Sequence, residues 1–266
     1  MKYSYYLLLF CLLGFAACDD DEVIPADTTD LALTFKGTYN GEPLQMLKTY
    51  DYDGTPIRFQ RFDFYISDLS LIKDDPSGSG ELELKEIDFI DLSYDAAADA
   101  SAGFRLDLPE VQTGAYTGLK MGIGVPPDLN KTEWTDYASG HPLNDANHYW
   151  KGWNSFIFAK VEGAIDADGD GMFEQSFTFH AGRDTVYFDH SLLANIQLDV
   201  TSAASFDIEV DVFKLFSNPA QGCDGDGNNL VDLDEDDCSR SHSSDSELEQ
   251  VLKMMRNFNN ALTVRN

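Results

Sequence analysis

The chain has 266 residues, of which 18 are basic and 47 acidic, and its formal net charge is -29. Such a charge repels phosphate backbones, which argues against nucleic acid as a partner. With 43% apolar residues the chain can bury one sizeable core, so we predict one main domain with a C-terminal extension.

The N-terminus has the order of a bacterial lipoprotein signal peptide over residues 1–17. Its apolar run, 7–13, is too short to span a bilayer, and the small residues Ala16 and Ala17 precede Cys18. We expect cleavage before Cys18 and a lipid anchor on its thiol, which would hold the mature chain to a membrane. The alternative is a plain secretory signal in which the cysteine is incidental.

Acidic residues follow Cys18 directly, and we predict residues 18–30 to be an acidic tether. This acidic run is similar to the export tag of surface-displayed lipoproteins in some Gram-negative bacteria. We therefore expect an outer-membrane lipoprotein of the cell envelope, with surface display as one option.

Alternation of apolar and polar residues begins at Leu31 and predicts β-strands through most of the chain. Short, evenly spaced strands with almost no helical periodicity indicate an all-β domain over 31–216, an antiparallel β-sandwich of about nine strands. The predicted strands are 31–35, 61–71, 82–92, 116–125, 155–164, 175–180, 185–188, 196–200 and 206–213.

Two segments have helical features. Residues 128–138 are predicted to contain a short helical turn. Over 244–260 apolar residues recur on one helical face after Ser244 and Asp245, which are candidate capping residues. We expect this short C-terminal helix, within an extension over 217–266, to pack on the sandwich.

An acidic segment of the extension has the ligand spacing of an EF-hand calcium loop. Positions one, three, five, nine and twelve are Asp224, Asp226, Asn228, Asp232 and Glu235. Asn229 replaces the glycine that is usual at position six. Cys223 and Cys238 bracket the loop, and we expect a disulfide between them in an oxidising compartment. The alternative is an acidic surface loop, closed by the disulfide, that binds no calcium.

A second acidic loop begins in the same way with Asp166, Asp168 and Asp170. Phe177 stands where the bidentate glutamate of an EF-hand belongs, and Glu174 could replace it from closer in. The loop is a calcium site or a simple β-hairpin connection. Calcium at either loop would be structural in an extracellular medium.

No sequence motif indicates an enzyme, and we expect none. The chain has no HExxH, GxSxG, GxGxxG or CxxC sequence, and its five histidines form no i, i+4 pair. His148, Trp150 and Trp153 lie directly before a predicted strand and close to His141. These residues are candidates to line one pocket.

Several segments together resemble the MbnP-like family, the copper-binding proteins found beside methanobactin genes and, more widely, as bacterial lipoproteins. The matching sequences are LTFKGTYNGEPL at 33–44, FYISDLSL at 64–71, MGIGVP at 121–126, HYWKGWNSFIFAKVEG at 148–163, FTFHAG at 177–182 and RNFNNALTV near the C-terminus. The resemblance covers most of the mature chain. It implies a β-sandwich that binds copper and is not an enzyme.

The resemblance also implies a copper site. In some relatives a tryptophan is oxidised to kynurenine by a dihaem partner of the cytochrome c peroxidase and MauG type, and the kynurenine joins histidines at the metal. Carried over to this chain, His180 matches the histidine of the FxFHxG strand, and Trp150 and Trp153 match the tryptophan-rich turn. His148 is a further candidate ligand. Alternation along FTFHAG puts Phe177, Phe179 and Ala181 on one face and His180 on the other, and we expect His180 near the strand end, facing the two tryptophans.

The chain departs from its relatives beside the second tryptophan, where Phe156 and Ile157 replace a usual Gly-Tyr and Gly152 separates the two tryptophans. Which tryptophan is modified therefore stays open. The main functional expectation is a lipid-anchored protein for copper binding or uptake. The alternative is a non-enzymatic adhesion or interaction module on the cell surface, stabilised by calcium; an extracellular hydrolase has no supporting motif.

Overall fold

The computed structural model describes residues 27–75, 80–217, 241–244 and 248–265. The signal peptide, Cys18 and the predicted calcium loop between Cys223 and Cys238 lie outside these residues, so the expectations for them stay predictions. Within the described residues, no helix has the length and apolar character needed to cross a membrane.

Strands dominate the described chain, and the helices are few and short. The strands are β1 Thr28–Tyr39, β2 Glu42–Pro43, β3 Thr49–Tyr52, β4 Thr55–Lys73, β5 Glu81–Asp91, β6 Phe104–Gln112, β7 Gly114–Ile123, β8 Tyr149–Trp150, β9 Ser155–Ile165, β10 Gln175–Gly182, β11 Phe188–Leu198, β12 Ala204–Asp211, β13 Ser241–Ser243 and β14 Leu262–Arg265. The helices are α1 Ala97–Ala102, α2 Phe213–Phe216 and α3 Leu248–Ala261, and single 3-10 turns occur at Leu129–Lys131, Trp134–Asp136, Ala146–His148 and Asp184–Val186.

These strands form two sheets, which confirms the predicted all-β sandwich. The first sheet has the order β14-β12-β1-β2, and β6 also pairs with β1. The second has the order β11-β7-β4-β9-β10-β13, with β3 and β5 paired to β4 and β8 paired to β9. Most pairs are antiparallel as predicted, but β1 with β12 and β10 with β13 are parallel.

Aromatic side chains fill the core between the sheets. Phe35 of the first sheet and Phe64 of the second meet edge to face, with ring centroids 6.4 Å apart. Phe64 also packs on Phe258 of α3, at 5.3 Å. All three rings are fully buried, and burying a side chain of this size contributes about 1.5–3 kcal/mol. The helix is therefore part of the core.

The predicted C-terminal helix is confirmed as α3, and the chain then continues into the first sheet. Its apolar face buries Val251, Met254, Met255 and Phe258. Strand β14 follows at once and pairs with β12. The end of the chain thus completes a sheet. At the other end β1 begins at Thr28, so the last residues of the predicted tether belong to the sandwich.

Near β11 one predicted strand is wrong and another is part of a longer strand. The strand predicted at 185–188 is wrong, because a 3-10 turn at Asp184–Val186 follows Arg183, whose φ of +69° ends β10. The strand predicted at 196–200 is the end of β11, which begins at Phe188. The sequence analysis also did not predict β6. That strand contains the exposed Pro109, and it lies at a sheet edge, where a proline is tolerated.

Candidate functional site

Charged side chains cross the outer face of the second sheet where β4, β9 and β10 lie side by side. The strand register places Asp63 opposite Lys160 and Lys160 opposite His180. Arg61 lies opposite Glu162 in the next row. The intervening residues of each strand are buried in the core, so the two-residue period of a strand directs the charges outward.

His180 and Glu162 form a hydrogen-bonded pair on this face. The distance from Nε2 to Oε1 is 2.7 Å, and each side chain is about a quarter exposed. The bond to His180 lowers the pKa of Glu162 more than burial raises it. Because an ionised carboxylate only accepts, Nε2 donates this hydrogen bond, and in the neutral form of the ring Nδ1 is then the nitrogen with the free lone pair.

Among the described residues, no group bonds to Nδ1 of His180. A carboxylate behind the second ring nitrogen is the usual companion of a metal-ligating imidazole, since it fixes the tautomer and the orientation of the ring. The face of β10 agrees with the prediction, because Phe177, Phe179 and Ala181 are buried and His180 is partly exposed. This pair can present one nitrogen ligand to a metal.

The two tryptophans of the turn before β9 lie beside each other. Their ring centroids are 6.3 Å apart, Trp150 is 54% exposed, and Trp153 is partly buried. A Cβ built on Gly182 would lie 2.9 Å from Cε3 of Trp153, so this indole covers Gly182. Gly182 follows His180 by two residues at the end of β10, where the pairing with β9 is irregular between Ala181 and Gly182. Trp153 therefore packs against the end of the strand that carries His180.

His148 uses both ring nitrogens in hydrogen bonds. Nε2 is 2.9 Å from Oδ1 of Asp63, and Nδ1 is 2.7 Å from Oδ2 of Asp145. The ring is 1% exposed and packs on Phe89, with centroids 4.5 Å apart. Burial raises the pKa of Asp145, but the hydrogen bonds from His148 and from the Asn147 N–H outweigh it and lower that pKa. His148 therefore joins the loop at 124–154 to the sheet.

The remaining charges are held under the same loop. Asp63 is fully buried and accepts a second hydrogen bond, from Nε of Arg61. Lys160 is 5% exposed and donates to the carbonyl oxygen of Asn147 at 2.6 Å. Burial and the nearby charge of Arg61 lower the pKa of Lys160. The loop thus covers a network of oppositely charged side chains on β4 and β9.

This network was not predicted from the sequence, although a signal for it is present. Charged residues stand at alternate positions inside two otherwise apolar strands, Arg61 and Asp63 in β4 and Lys160 and Glu162 in β9. Such residues on an outer face are usually solvated, so the pattern alone does not distinguish an exposed face from a covered one. His141 lies elsewhere in the loop, where it stacks on a tyrosine at 4.3 Å.

A polar cavity of about 320 Å³ opens beside Trp153. Arg183 lies 5.8 Å from the centroid of the Trp153 ring. The buried Asn130 accepts hydrogen bonds from the Ser155 hydroxyl and the Phe156 N–H. The turn that carries the tryptophans is thereby fixed at the start of β9. The cavity is lined by Asn130, Lys131, Trp153, Asn154, Ser155, Arg183, Asp184 and Thr185.

The acidic loop between β9 and β10 brings four carboxylates together. One oxygen each of Asp166, Asp168, Asp170 and Glu174 lies within 4.8 Å of the others. Asp166 is buried and accepts the N–H groups of Gly169, Asp170 and Gly171. Phe177 is buried in the core. The loop is both a hairpin connection and a group of oxygen donors with Glu174 in reach.

A family comparison covers every strand that carries the candidate copper site. The family model described as MbnP matches residues 28–238. Comparison with curated proteins gives no match. Among solved structures, MbnP from Methylosinus trichosporium is similar, with a TM-score of 0.49 and 16% sequence identity over 79% of this chain and 86% of that chain.

Proposed function

Because this chain belongs to the MbnP family, we propose that it binds copper outside the cytoplasm, at His180 beside the tryptophan-rich turn, and that it catalyses no reaction. The observation that carries the proposal is the hydrogen bond between Glu162 and His180. It fixes the imidazole with Nδ1 available as a ligand. Imidazole nitrogen suits both Cu(I) and Cu(II).

One histidine does not hold copper tightly, so the site needs a second donor. A kynurenine formed from a tryptophan, as the family resemblance implies, would supply one. Trp153 is better placed than Trp150, since it covers Gly182, two residues after His180 in β10. His148 remains a candidate ligand, but binding would require it to give up a carboxylate partner.

Copper titration of the full-length protein tests the proposal. The protein is titrated with Cu(I) and with Cu(II) against a competing chelator. We expect His180→Ala to abolish the copper equivalent bound at this outer site and Glu162→Gln to weaken that equivalent about 10- to 100-fold, because the charge behind the ligand is lost. Thr178→Ala is the matched control, since Thr178 lies on the same face of β10. Equal affinity in the wild type and His180→Ala would rule out the site.

We further propose that the protein is an outer-membrane lipoprotein anchored through Cys18. The order of apolar run, small residues and cysteine supports this location. A dihaem protein of the cytochrome c peroxidase and MauG type is the proposed partner, and its action would be the oxidation of Trp153 or Trp150. Mass spectrometry of peptides from the protein made with and without such a partner tests that action.

Calcium binding supports a second candidate function, a non-enzymatic adhesion or interaction module on the cell surface. The favouring observation is the group of four carboxylates at Asp166, Asp168, Asp170 and Glu174. Oxygen ligands of this kind suit calcium, which at an extracellular site would stabilise the connection between β9 and β10. The predicted loop from Asp224 to Glu235 would add a second site. Absence of copper binding together with calcium binding would favour this function.

A further inference from the structure

His190 is a buried imidazole without a hydrogen-bond partner in the described part of the chain. It lies in β11 and is 3% exposed, and neither Nδ1 nor Nε2 is bonded. The Asn259 side chain approaches it from α3 without forming a hydrogen bond of normal geometry. Because buried polar atoms are almost always satisfied in folded proteins, the two unbonded ring nitrogens of His190 are an exception that calls for an explanation.

Met121 of β7 lies directly opposite His190. The two strands are antiparallel, and the register pairs these residues. Residues directly opposite on one face have Cβ atoms about 4.5–5.5 Å apart. Met121 is fully buried, whereas the exposed Asp189 and Ser191 alternate with His190 toward the other face. The His190 imidazole and the Met121 thioether therefore lie side by side on the inner face of the sheet.

Helix α3 covers this position and brings a second thioether. The ring of Phe258 lies 6.4 Å from the ring of His190. Met255 precedes Phe258 by three residues and Asn259 by four, so it lies one turn earlier on the same helical face, where it is fully buried. The side chains around His190 are thus aromatic rings and thioethers. The nearby charge is the carboxylate of Asp189, which acts to raise the pKa of His190.

We propose that His190 and Met121 form a buried metal site that takes Cu(I), with Met255 as the third donor. Thioether sulfur is a soft ligand that favours Cu(I) over hard cations, and imidazole completes the set. Burial lowers the pKa of His190 to about 4, so the ring is neutral at neutral pH, the form that binds a metal. The site is separate from His180, which lies on the outer face.

Counting bound Cu(I) in full-length variants tests this site. Under anaerobic conditions and against a competing chelator, we expect His190→Leu to retain one copper equivalent fewer than the wild type. Met121→Leu, which conserves volume in the core, should weaken that equivalent at least tenfold. Met172→Leu is the matched control, because Met172 is 63% exposed. His180→Ala should keep the copper equivalent at the buried site. Loss of the outer site can therefore be distinguished from loss of the buried site.

X-ray absorption of the Cu(I)-loaded His180→Ala protein gives an independent readout. We expect sulfur scattering around copper in this protein and its loss when Met121→Leu is added. The proposal is overturned if the copper has only nitrogen and oxygen neighbours, or if His190→Leu retains as many equivalents as the wild type. If His190→Leu does not fold, the Met121→Leu affinity and its sulfur signal decide.

Discussion

The buried side chains of His148 and Asp63 stabilise each other through a hydrogen bond. Asp63 is fully buried, and its carboxylate is held by His148 and Arg61. An ionised carboxylate removed from water is destabilising unless it is paired and hydrogen-bonded. The imidazole in turn lies between two carboxylates and under Phe89. The pair thus fixes where the loop at 124–154 meets β4, a few residues from the tryptophan-rich turn.

Replacing His148 should be strongly destabilising. We expect His148→Leu to lower the free energy of unfolding by about 3–5 kcal/mol, because the buried Asp63 then loses one of its two partners and keeps only Arg61. The double variant with Asp63→Asn should recover part of the loss, since the buried charge is gone. Urea denaturation measures both. His141→Ala is the control and should cost less than about 1 kcal/mol; equal losses for the two histidines would contradict the role of His148.

Ionisation of Asp145 should make the stability of this contact between the loop and β4 depend on pH. Its pKa is lowered from an ordinary value of 3.8, since hydrogen bonds and the charge of His148 outweigh burial. A carboxyl group with a depressed pKa in the folded state contributes stability above its unfolded pKa and loses it as pH falls through the folded one. We therefore expect wild type to be more stable than Asp145→Asn at pH 7, with a difference that shrinks below about pH 4.

Denaturation of both proteins over pH 2–7 measures the difference. Asp95→Asn, a change of an exposed acid in the segment after β5, serves as the control. A difference between wild type and Asp145→Asn that is constant across this range would show that ionisation of Asp145 does not stabilise the fold.

Strand β10 shows what alternation predicts well and where it stops. The inward Phe177 and Phe179 and the outward His180 follow from the two-residue period. The same rule fails after Gly182, because the left-handed backbone of Arg183 breaks the strand and no local pattern announces it. The parallel pairing of β10 with β13 joins residues far apart in sequence, so periodicity cannot predict it. Most of the long strands were predictable from alternation, whereas β6 and the pairing partners of the strands were not.

The residues around the proposed copper site could be predicted only in part. The family resemblance proposed His180 and the two tryptophans, and their role as ligands stays a prediction. It did not identify Glu162, because the pairing of β9 with β10 that brings Glu162 to His180 is a matter of register. The charges on β4 and β9 were visible in the sequence, but their burial depends on the loop that folds over them. The features that were not predicted therefore depend on contacts between segments that are distant in sequence.

The connection between β9 and β10 should respond to calcium. Calcium that binds only the folded state raises stability by about 2.7 kcal/mol at a hundredfold excess over Kd. We expect thermal melting to shift upward with calcium and downward with EGTA, and Asp166→Asn to reduce the shift because Asp166 is the buried member of the group. Asp95→Asn is the control. A melting temperature that is the same in calcium and EGTA would contradict both predicted loops.

The contribution of the second predicted loop can be separated. Asp232→Asn changes that loop alone, and Asp166→Asn changes the first. If both loops bind calcium, the double variant should show no response to EGTA while each single variant keeps part of it. A full response in Asp232→Asn would remove the C-terminal loop from the proposal.

Both ends of the described chain belong to the first sheet. The position of the first strand determines how far the domain would lie from a membrane to which Cys18 is anchored. Strand β1 lies between β12 and β6, and β14 closes the sheet against β12. The first described residue, Asp27, accepts a hydrogen bond from the Thr113 N–H at 2.9 Å. An anchor at Cys18 would therefore join the sandwich through fewer than ten residues. The domain would stand close to the membrane surface, with a highly acidic body.

Lipidation of Cys18 should decide where the whole protein partitions. Diacylglycerol on the thiol adds about 0.8 kcal/mol of membrane affinity per buried CH₂, and two or more chains anchor a protein stably. We expect the wild type in the detergent-rich phase after detergent phase separation and Cys18→Ala in the aqueous phase. Cys11→Ala is the matched control, because Cys11 lies in the apolar run that is removed with the signal. Partition of the wild type into the aqueous phase would exclude the anchor and leave a plain secretory signal as the explanation of the first 17 residues.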